Sequence, residues 1–300
     1  MLPERTYAGL PTEQANPKSR ALDRMSVGQL LRLMNREDAT VPQAVARVIP
    51  QIERAVTLIV ASLRGGGRWW MVGAGTSGRF GVLEAAECPP TFNTPPTLIQ
   101  AIMAGGSSAV FRSKEGVEDD QAAAWRAVQR SVKAGDVVLG IAASGVTPFV
   151  EAALGAARSQ GASTILLTGN AAAGAGRAVQ VVIAPSVGPE VIAGSTRLKA
   201  GTATKLILNM LTVATMVRLG KVHDNLMVDV RPTSAKLRAR ALRLIQTIAG
   251  VPEAEAVRCL RTSGGQTKTA IVMAARTLTA SAARALLQQH NGFLSQILAK

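Results

Sequence analysis

The sequence predicts an α/β fold: a doubly wound parallel sheet with a helical segment before it and a small helical module after it. Short apolar runs that end in small residues recur along the middle of the chain, and alanine-rich helical stretches separate several of them. Strands that are apolar throughout and alternate with helices are typical of a parallel sheet covered on both faces. A length of 300 residues is enough for one large domain and a small accessory one.

The elements are predicted in a simple order along the chain. A mostly helical segment comes first and is followed by the turn RGGGR at 64–68. Strands are predicted within 68–75, 97–105, 136–144, 163–170 and 179–186, and helices over 119–132 and 147–160. A long buried helix over 198–220 ends at Gly220, and short helices with an internal break at TSGGQT follow. We therefore divide the chain into a helical N-terminal segment at 1–58, a sheet domain at 59–222 and a helical C-terminal module at 234–300.

The charge of the chain fits an anionic small-molecule ligand better than a nucleic acid. The formal net charge is +15, and much of the excess of Lys and Arg lies after Arg231. That region has no interleaved aromatic residues and no recognisable DNA-binding motif, so we expect no nucleic-acid partner. A basic balance also suits anionic small substrates, and a solvated, charged face on the helices is the simplest interpretation of it.

Two further classes of protein are disfavoured by the sequence. The first residues carry charges early and lack the apolar core of a signal peptide, and no apolar run reaches the length of a membrane span. We therefore expect a cytoplasmic protein without a membrane partner. Two cysteines and two histidines, none clustered, are too few for a disulfide framework and make a zinc site improbable.

The stretch VGAGTSGRFGVLEAAECPP at 72–90 carries the pattern G-x-G-x-x-G at Gly73, Gly75 and Gly78. A dinucleotide site would need an acidic residue about twenty residues further on, to bind the ribose. No Asp or Glu occurs from Cys88 to Arg112, so this interpretation is disfavoured. The remaining features, a strand, a tight turn and a helix start, favour a phosphate site.

Hydroxyl side chains recur at three such turns. Each could simply cap a helix, because Ser and Thr favour that position. Three hydroxyl-bearing turns at the same end of one parallel sheet instead predict a site for a phosphorylated, polyhydroxy ligand. The predicted ligand-binding residues are Thr76 and Ser77 in the first turn, Ser144 and Thr147 in IAASGVTP, and Ser195, Thr196 and Lys199 in GSTRLKAGT.

These motifs resemble a known family. GAGTSGR, ASGVTP and GSTRLKAGTA, in that order, resemble the sugar-isomerase (SIS) domain, a flavodoxin-like module that binds phosphosugars. GAGTSGRFGVLEAAECPPTF, EGVEDD and NLMVDV resemble, more specifically, the N-acetylmuramic acid 6-phosphate etherases. TEQANPKSRALDRMS, KTAIVM and QQHNGF extend the resemblance over nearly the whole chain. The chain departs from the family at Thr196, where serine is more typical, and at Ser234, where asparagine is usual.

The resemblance implies a function in recycling of cell-wall sugars. The implied reaction is hydrolysis of the lactyl ether of N-acetylmuramic acid 6-phosphate to N-acetylglucosamine 6-phosphate and D-lactate, without cofactor or metal, by a homodimer. Three alternatives stay open: a non-catalytic phosphosugar-sensing regulator, a transcription regulator that carries an SIS domain, and an aldose–ketose isomerase. Release of lactate separates the etherase from the isomerase.

An ether with a poor leaving group calls for two carboxyl groups. If the sugar ring opens, the C1 aldehyde acidifies the C2 proton, and the lactyl oxygen on C3 becomes a β-leaving group. The reaction then needs a base at C2 and an acid at the lactyl oxygen. We expect the helix that follows the glycine-rich turn to break at Cys88–Pro89–Pro90. Spacing alone leaves Glu84 and Glu87 open as the acid, and Glu115 and Glu118 as the base. The resemblance assigns the acid to Glu87 and the base to Glu118. Asp119 and Asp120 are expected to stabilise a helix start.

Three other polar residues have no assigned role in the reaction. His223 and His290 are expected to be structural, although His290 lies in a stretch that matches the family. Arg79 follows the glycine-rich turn, and its position fits either a phosphate contact or a surface ion pair.

Overall fold

The computed structural model describes residues 9–174 and 179–299. Within these ranges the chain divides into two units, one built from residues 9–85, 97–174 and 179–211 and the other from residues 86–96 and 212–299. The division into three parts expected from the sequence, with boundaries near 58 and 222–234, stays a prediction.

A five-stranded parallel sheet forms the centre of the first unit, in the order β2-β1-β3-β4-β5. Each strand lies inside one of the five segments predicted from the sequence, so the α/β prediction is confirmed. Gly73 at the end of β1 pairs with Met103 on one side and Ile141 on the other, which makes β1 the strand at which the order reverses. Ligands of open α/β sheets bind outside the carboxyl ends of the strands at such a point. The strands are β1 Trp69–Gly73, β2 Ile99–Met103, β3 Val137–Ile141, β4 Ser163–Leu167 and β5 Val181–Ile183.

Helices cover this sheet. Alternate strand residues such as Val72, Val138 and Leu166 pack into one apolar cluster with residues of α6 and α7, because side chains alternate between the faces of a strand. Helix α3 also packs on the sheet, against β1, β3, β4 and β5. The helices that begin in this unit are α1 Val27–Asp38, α2 Val41–Ala46, α3 Ile49–Arg64, α4 Gly75–Phe92, α5 Ser108–Phe111, α6 Gln121–Ser131, α7 Pro148–Ser159 and α8 Lys199–Arg218.

Helices α4 and α8 each contribute residues to both units. The sequence predicts that α4 breaks at Cys88–Pro89–Pro90, and this is wrong: the helix runs on to Phe92, with both prolines inside it. Helix α8 ends as predicted, because Gly220 has a positive φ and the N–H of Lys221 bonds back to the carbonyl of Met216. By length and composition α8 could cross a membrane, but 56% of its apolar window is buried inside the protein, as in a core helix.

The second unit is mostly helical and has its own apolar core. Ile245, Cys259, Ile271 and Leu294, from four different helices, lie in one buried cluster. The helical break predicted at TSGGQT is present, between α10 and α11. The elements are the short antiparallel pair β6 Val222–His223 and β7 Leu226–Met227, followed by α9 Ala235–Ala249, α10 Glu253–Thr262, α11 Thr267–Arg276, α12 Ala280–Gln289 and α13 Leu294–Leu298.

Candidate active site

A cavity of about 240 Å³ lies in the first unit, next to the turns that follow β1 and β3. It is the cavity that brings predicted site residues together: six of the nine line it, and Glu87, Ser195 and Lys199 do not. Its lining consists of Glu13, Ala74, Gly75, Thr76, Ser77, Glu118, Asp119, Ala143, Ser144, Val146, Thr147, Pro148, Gly194 and Thr196.

A larger cavity, of about 600 Å³, lies in the second unit beside Asp229, Arg231 and Lys268. None of the predicted site residues lines it. Cavity volume therefore does not identify the site, and the chemistry of the lining residues favours the smaller cavity.

The glycine-rich turn brings the start of α4 very close to the end of β1. A Cβ on Gly73 would lie 2.7 Å from the amide nitrogen of Gly78, and a Cβ on Gly78 would lie 2.5 Å from the carbonyl oxygen of Gly73. The two glycines thus serve the same close strand–helix packing as in a dinucleotide fingerprint, which explains why the pattern matches. The half-buried Thr76 and Ser77 are thereby held at the first turn of α4, beside its free N–H groups.

The second turn holds Ser144 and Thr147. Thr147 occupies the N-cap position of α7, but its side chain makes no capping hydrogen bond, so its hydroxyl is left for the cavity. The hydroxyl of Ser144 accepts a hydrogen bond from the N–H of Val146 at 3.3 Å, which leaves its own proton free to be donated. Capping therefore does not account for either residue.

Glu118 lies in a short 3-10 turn, Val117–Asp119, where its exposed side chain lines the cavity. The rival base, Glu115, is exposed as well but is not part of the lining. The expectation that both following acids stabilise a helix start is right for Asp120, whose carboxylate accepts the N–H of Ala123 at 2.8 Å. For Asp119 it stays a prediction, and the residue also lines the cavity.

The two candidate acids on α4 differ in their surroundings. Glu84 is buried and forms an ion pair with Lys205, so its carboxylate has a structural partner. Glu87 is exposed. Arg79, on the same helix, does not line the cavity, and its guanidinium donates to the carbonyl oxygens of Ala109 and Val110 at 2.9 and 2.8 Å.

Lys199 does not lie where the sequence predicts it. Its ammonium is 2.8 Å from Oε2 of Glu37, in a pair almost excluded from solvent. The N–H groups of Lys199 and Ala200 donate to the carboxylate of Glu190, both at 2.9 Å. Because a carboxylate already occupies the start of α8, the third polar turn offers Thr196 to the cavity but has no helix start left for a phosphate.

The sequence reasoning missed two residues of this site. Glu13 lines the cavity, although no pattern in the N-terminal segment singles it out. Asn170 supports the second turn, because its side-chain amide donates to the carbonyl of Ser144 at 3.2 Å. A polar residue three positions after the end of β4 was the available signal for Asn170, since the carboxyl ends of parallel strands meet at one edge.

The cavity is lined by hydroxyl side chains at the starts of two helices and by acidic side chains. Of its described lining residues none is Lys or Arg, whereas Glu13, Glu118 and Asp119 are acidic. A phosphate group would depend on hydroxyl donors and on the N–H groups at the starts of α4 and α7. The carboxylates can accept hydrogen bonds from the uncharged part of a ligand, or they can take up and release protons.

Comparison with known proteins agrees with this chemistry. Residues 51–158 match the family model described as the glucokinase regulatory protein N-terminal SIS domain. A protein of Edwardsiella ictaluri named N-acetylmuramic acid 6-phosphate etherase is 47% identical over 288 residues, which are 96% of each chain. The N-acetylmuramic acid 6-phosphate etherase 1 of Bacillus licheniformis is 46% identical over 98% of each chain.

A solved structure has a similar fold. The phosphoheptose isomerase of Francisella tularensis superimposes with a TM-score of 0.50, at 19% identity, over 64% of this chain and 100% of its own. At this identity the likeness concerns the fold alone.

Proposed function

The chain belongs to the family of N-acetylmuramic acid 6-phosphate etherases, and from this premise we propose how its residues cleave that substrate. The reaction releases D-lactate and leaves N-acetylglucosamine 6-phosphate. The observation that supports this function best is the cavity in which Glu118 and five hydroxyl side chains meet at the starts of two helices. Nothing favours the alternative of a phosphosugar-sensing regulator.

The phosphate binds at the hydroxyl-bearing turns. Thr76 and Ser77 at α4, Ser144 and Thr147 at α7, and Thr196 donate hydrogen bonds to phosphate or sugar oxygens. The free N–H groups and the positive dipole ends of both helices stabilise the negative charge. Ser195 and Lys199 are not included in this set, since neither lines the cavity.

The cleavage proceeds by elimination and addition. Once the ring is open, Glu118 removes the C2 proton, and Glu87 gives a proton to the lactyl oxygen as its bond to C3 breaks. Water then adds at C3 of the unsaturated intermediate, and C2 regains a proton. The roles of Glu87 and Glu118 rest on the family motif; the position of Glu118 in the cavity and the ion pair of the rival Glu84 support them.

A single assay tests the function. The protein is incubated with N-acetylmuramic acid 6-phosphate, and D-lactate is measured. We expect lactate from the wild type, at least about a hundredfold less from Glu118→Gln, and wild-type amounts from the matched control Glu115→Gln. No lactate from the wild type at high enzyme concentration would favour the sensor instead.

The enzyme acts as a homodimer in the cytoplasm. Helix α8 exposes Met210, Val213 and Val217, whose spacing puts them on one side of the helix, and such an apolar stripe suits contact with a second copy. Cys88 and Cys259 are both buried, and neither forms a disulfide in the described part of the chain, in keeping with a reducing compartment. Light scattering at micromolar concentration tests the assembly, and a monomer would contradict it.

A further inference from the structure

Glu13 is a third glutamate or aspartate of the cavity, beside Glu118 and Asp119, and the mechanism above does not use it. The segment that carries it is fixed at two points. The carbonyl of the buried Thr12 accepts the N–H of Gly194 at 3.0 Å. Four residues after Thr12, the buried side-chain amide of Asn16 donates to Glu37 at 2.8 Å and to the carbonyl of Pro189 at 3.2 Å. Glu13 is therefore held in place by its neighbours rather than by bonds of its own carboxylate.

The carboxylate of Glu13 lies against the backbone of Gly194. A Cβ at Gly194 would be 3.0 Å from Oε2 of Glu13, so the absence of a side chain there makes room for the carboxylate. Within the described part of the chain, Glu13 forms no ion pair, and its side chain accepts a single hydrogen bond, from the neighbouring Thr12 hydroxyl at 3.3 Å. Most of the acceptor capacity of Glu13 is thus left for a ligand.

We propose that Glu13 is a positioning and specificity residue, which accepts hydrogen bonds from the uncharged donors of the amino sugar. This rests on the proposed function. A carboxylate repels the phosphate dianion, so the phosphate stays at the hydroxyl-bearing turns and the hydroxyl and acetamido N–H groups of the sugar face Glu13. Bonds from those groups fix the orientation in which C2 meets Glu118.

The experiment compares Glu13→Gln with the wild type by two readouts. The first is kcat/KM for N-acetylmuramic acid 6-phosphate; the second is the inhibition constant of inorganic phosphate, which probes the other end of the cavity. We expect kcat/KM to fall by about tenfold or more, because an amide is a weaker hydrogen-bond acceptor than a carboxylate. The inhibition constant of phosphate should stay unchanged within about twofold. Glu13→Asp, which keeps the charge, should recover part of the loss.

The matched control is Glu53→Gln, the same change at an exposed position on α3, and it should leave both constants unchanged. Three results would overturn the proposal: an unchanged kcat/KM in Glu13→Gln, a phosphate constant that rises in parallel with the loss of activity, or a wild type that phosphate does not inhibit. The second result would indicate a merely structural role. Failure of the proposed function is distinct, since the wild type itself would then release no lactate.

Discussion

The ammonium of Lys199 lies 2.8 Å from Oε2 of Glu37, and both side chains are nearly excluded from solvent. Lys18 and Asn16 also donate to the Glu37 carboxylate, at 2.9 and 2.8 Å. Together these contacts join the end of α1 and the start of α8 to the N-terminal segment, which also carries Glu13. Lys199 is therefore part of the structure that surrounds the cavity and not of its lining.

This network predicts a loss of stability in acid. Burial raises the pKa of Glu37, but the hydrogen bonds from Lys199, Lys18 and Asn16 outweigh it and lower the pKa from 4.5 to about 2. Because the folded pKa is the lower one, the stabilisation is complete above pH 4.5 and is lost as the pH falls towards 2. The shift corresponds to roughly 3 kcal/mol of the free energy of unfolding.

Urea unfolding at pH 7, 5 and 3 measures this contribution. Glu37→Gln should be less stable than the wild type at pH 7, by about 3–5 kcal/mol, because it leaves Lys199 buried without a counter-charge. The difference between the two proteins should shrink as the pH falls, whereas Glu53→Gln should follow the wild type throughout. A constant difference from pH 7 to pH 3 would show that Glu37 does not titrate as expected.

The hydroxyl-bearing turns predict an effect on substrate binding. Ser77→Ala or Ser144→Ala should raise KM about 10- to 100-fold and lower kcat less, because a hydrogen bond to a charged group is worth about 1.5–3 kcal/mol and the phosphate does not change during the reaction. Ser159→Ala, at the exposed end of α7, is the control. Steady-state kinetics with wild-type KM in both cavity variants would remove these serines from the site.

The close approach of α4 to β1 predicts that Gly78 tolerates no side chain. In Gly78→Ala the new methyl group would lie 2.4 Å from Sδ of Met103 and 2.5 Å from the carbonyl oxygen of Gly73. We expect a loss of about 1–3 kcal/mol in stability and most of the activity, because α4 must move away from the strand. Gly155→Ala, where the methyl group meets only Trp125 at 3.8 Å, should be neutral or stabilising. Thermal unfolding and lactate release check both, and equal behaviour of the two variants would contradict the packing argument.

Glu84 and Glu87 should separate stability from catalysis. Glu84→Gln breaks the ion pair of a buried carboxylate with Lys205, so we expect it to cost about 1–3 kcal/mol of stability. Glu87→Gln changes an exposed side chain and should leave the melting temperature unchanged, while kcat falls by about 10²- to 10⁴-fold. The reverse pattern, with activity lost in Glu84→Gln at unchanged stability, would move the acid to Glu84.

The sequence predicts the sheet and most of the cavity because both depend on local patterns. Each strand is an apolar run such as Trp69–Gly73, and the first two hydroxyl-bearing turns directly follow β1 and β3. Lys199 was misplaced because its partner Glu37 is 162 positions away along the chain, and local spacing carries no information on such a pair. Glu13 was missed because its neighbour Gly194 is likewise far away along the chain. The expected break at Pro89–Pro90 failed because proline in a helix interior is costly but not forbidden.

The last prediction concerns the mechanism, and it separates elimination and addition from direct displacement at the lactyl carbon. If Glu118 removes the C2 proton, turnover in D₂O should place deuterium at C2 of the product. If water adds to the unsaturated intermediate, turnover in ¹⁸O-water should label C3 of the sugar and leave the lactate unlabelled; displacement would reverse the oxygen result.

The two glutamates should differ in the same labelling experiment, read out by mass spectrometry and NMR. Glu87→Gln should block lactate release, because an amide cannot supply the proton that the poor leaving group needs, yet it should still allow slow exchange at C2 by the intact Glu118. Glu118→Gln should abolish that exchange. Return of the same proton from a shielded Glu118 is tested by the rate of turnover with C2-deuterated substrate, which should be slowed even where no label is washed in. An unlabelled C2 together with an undiminished rate on the deuterated substrate would contradict a rate-limiting removal of the C2 proton by Glu118.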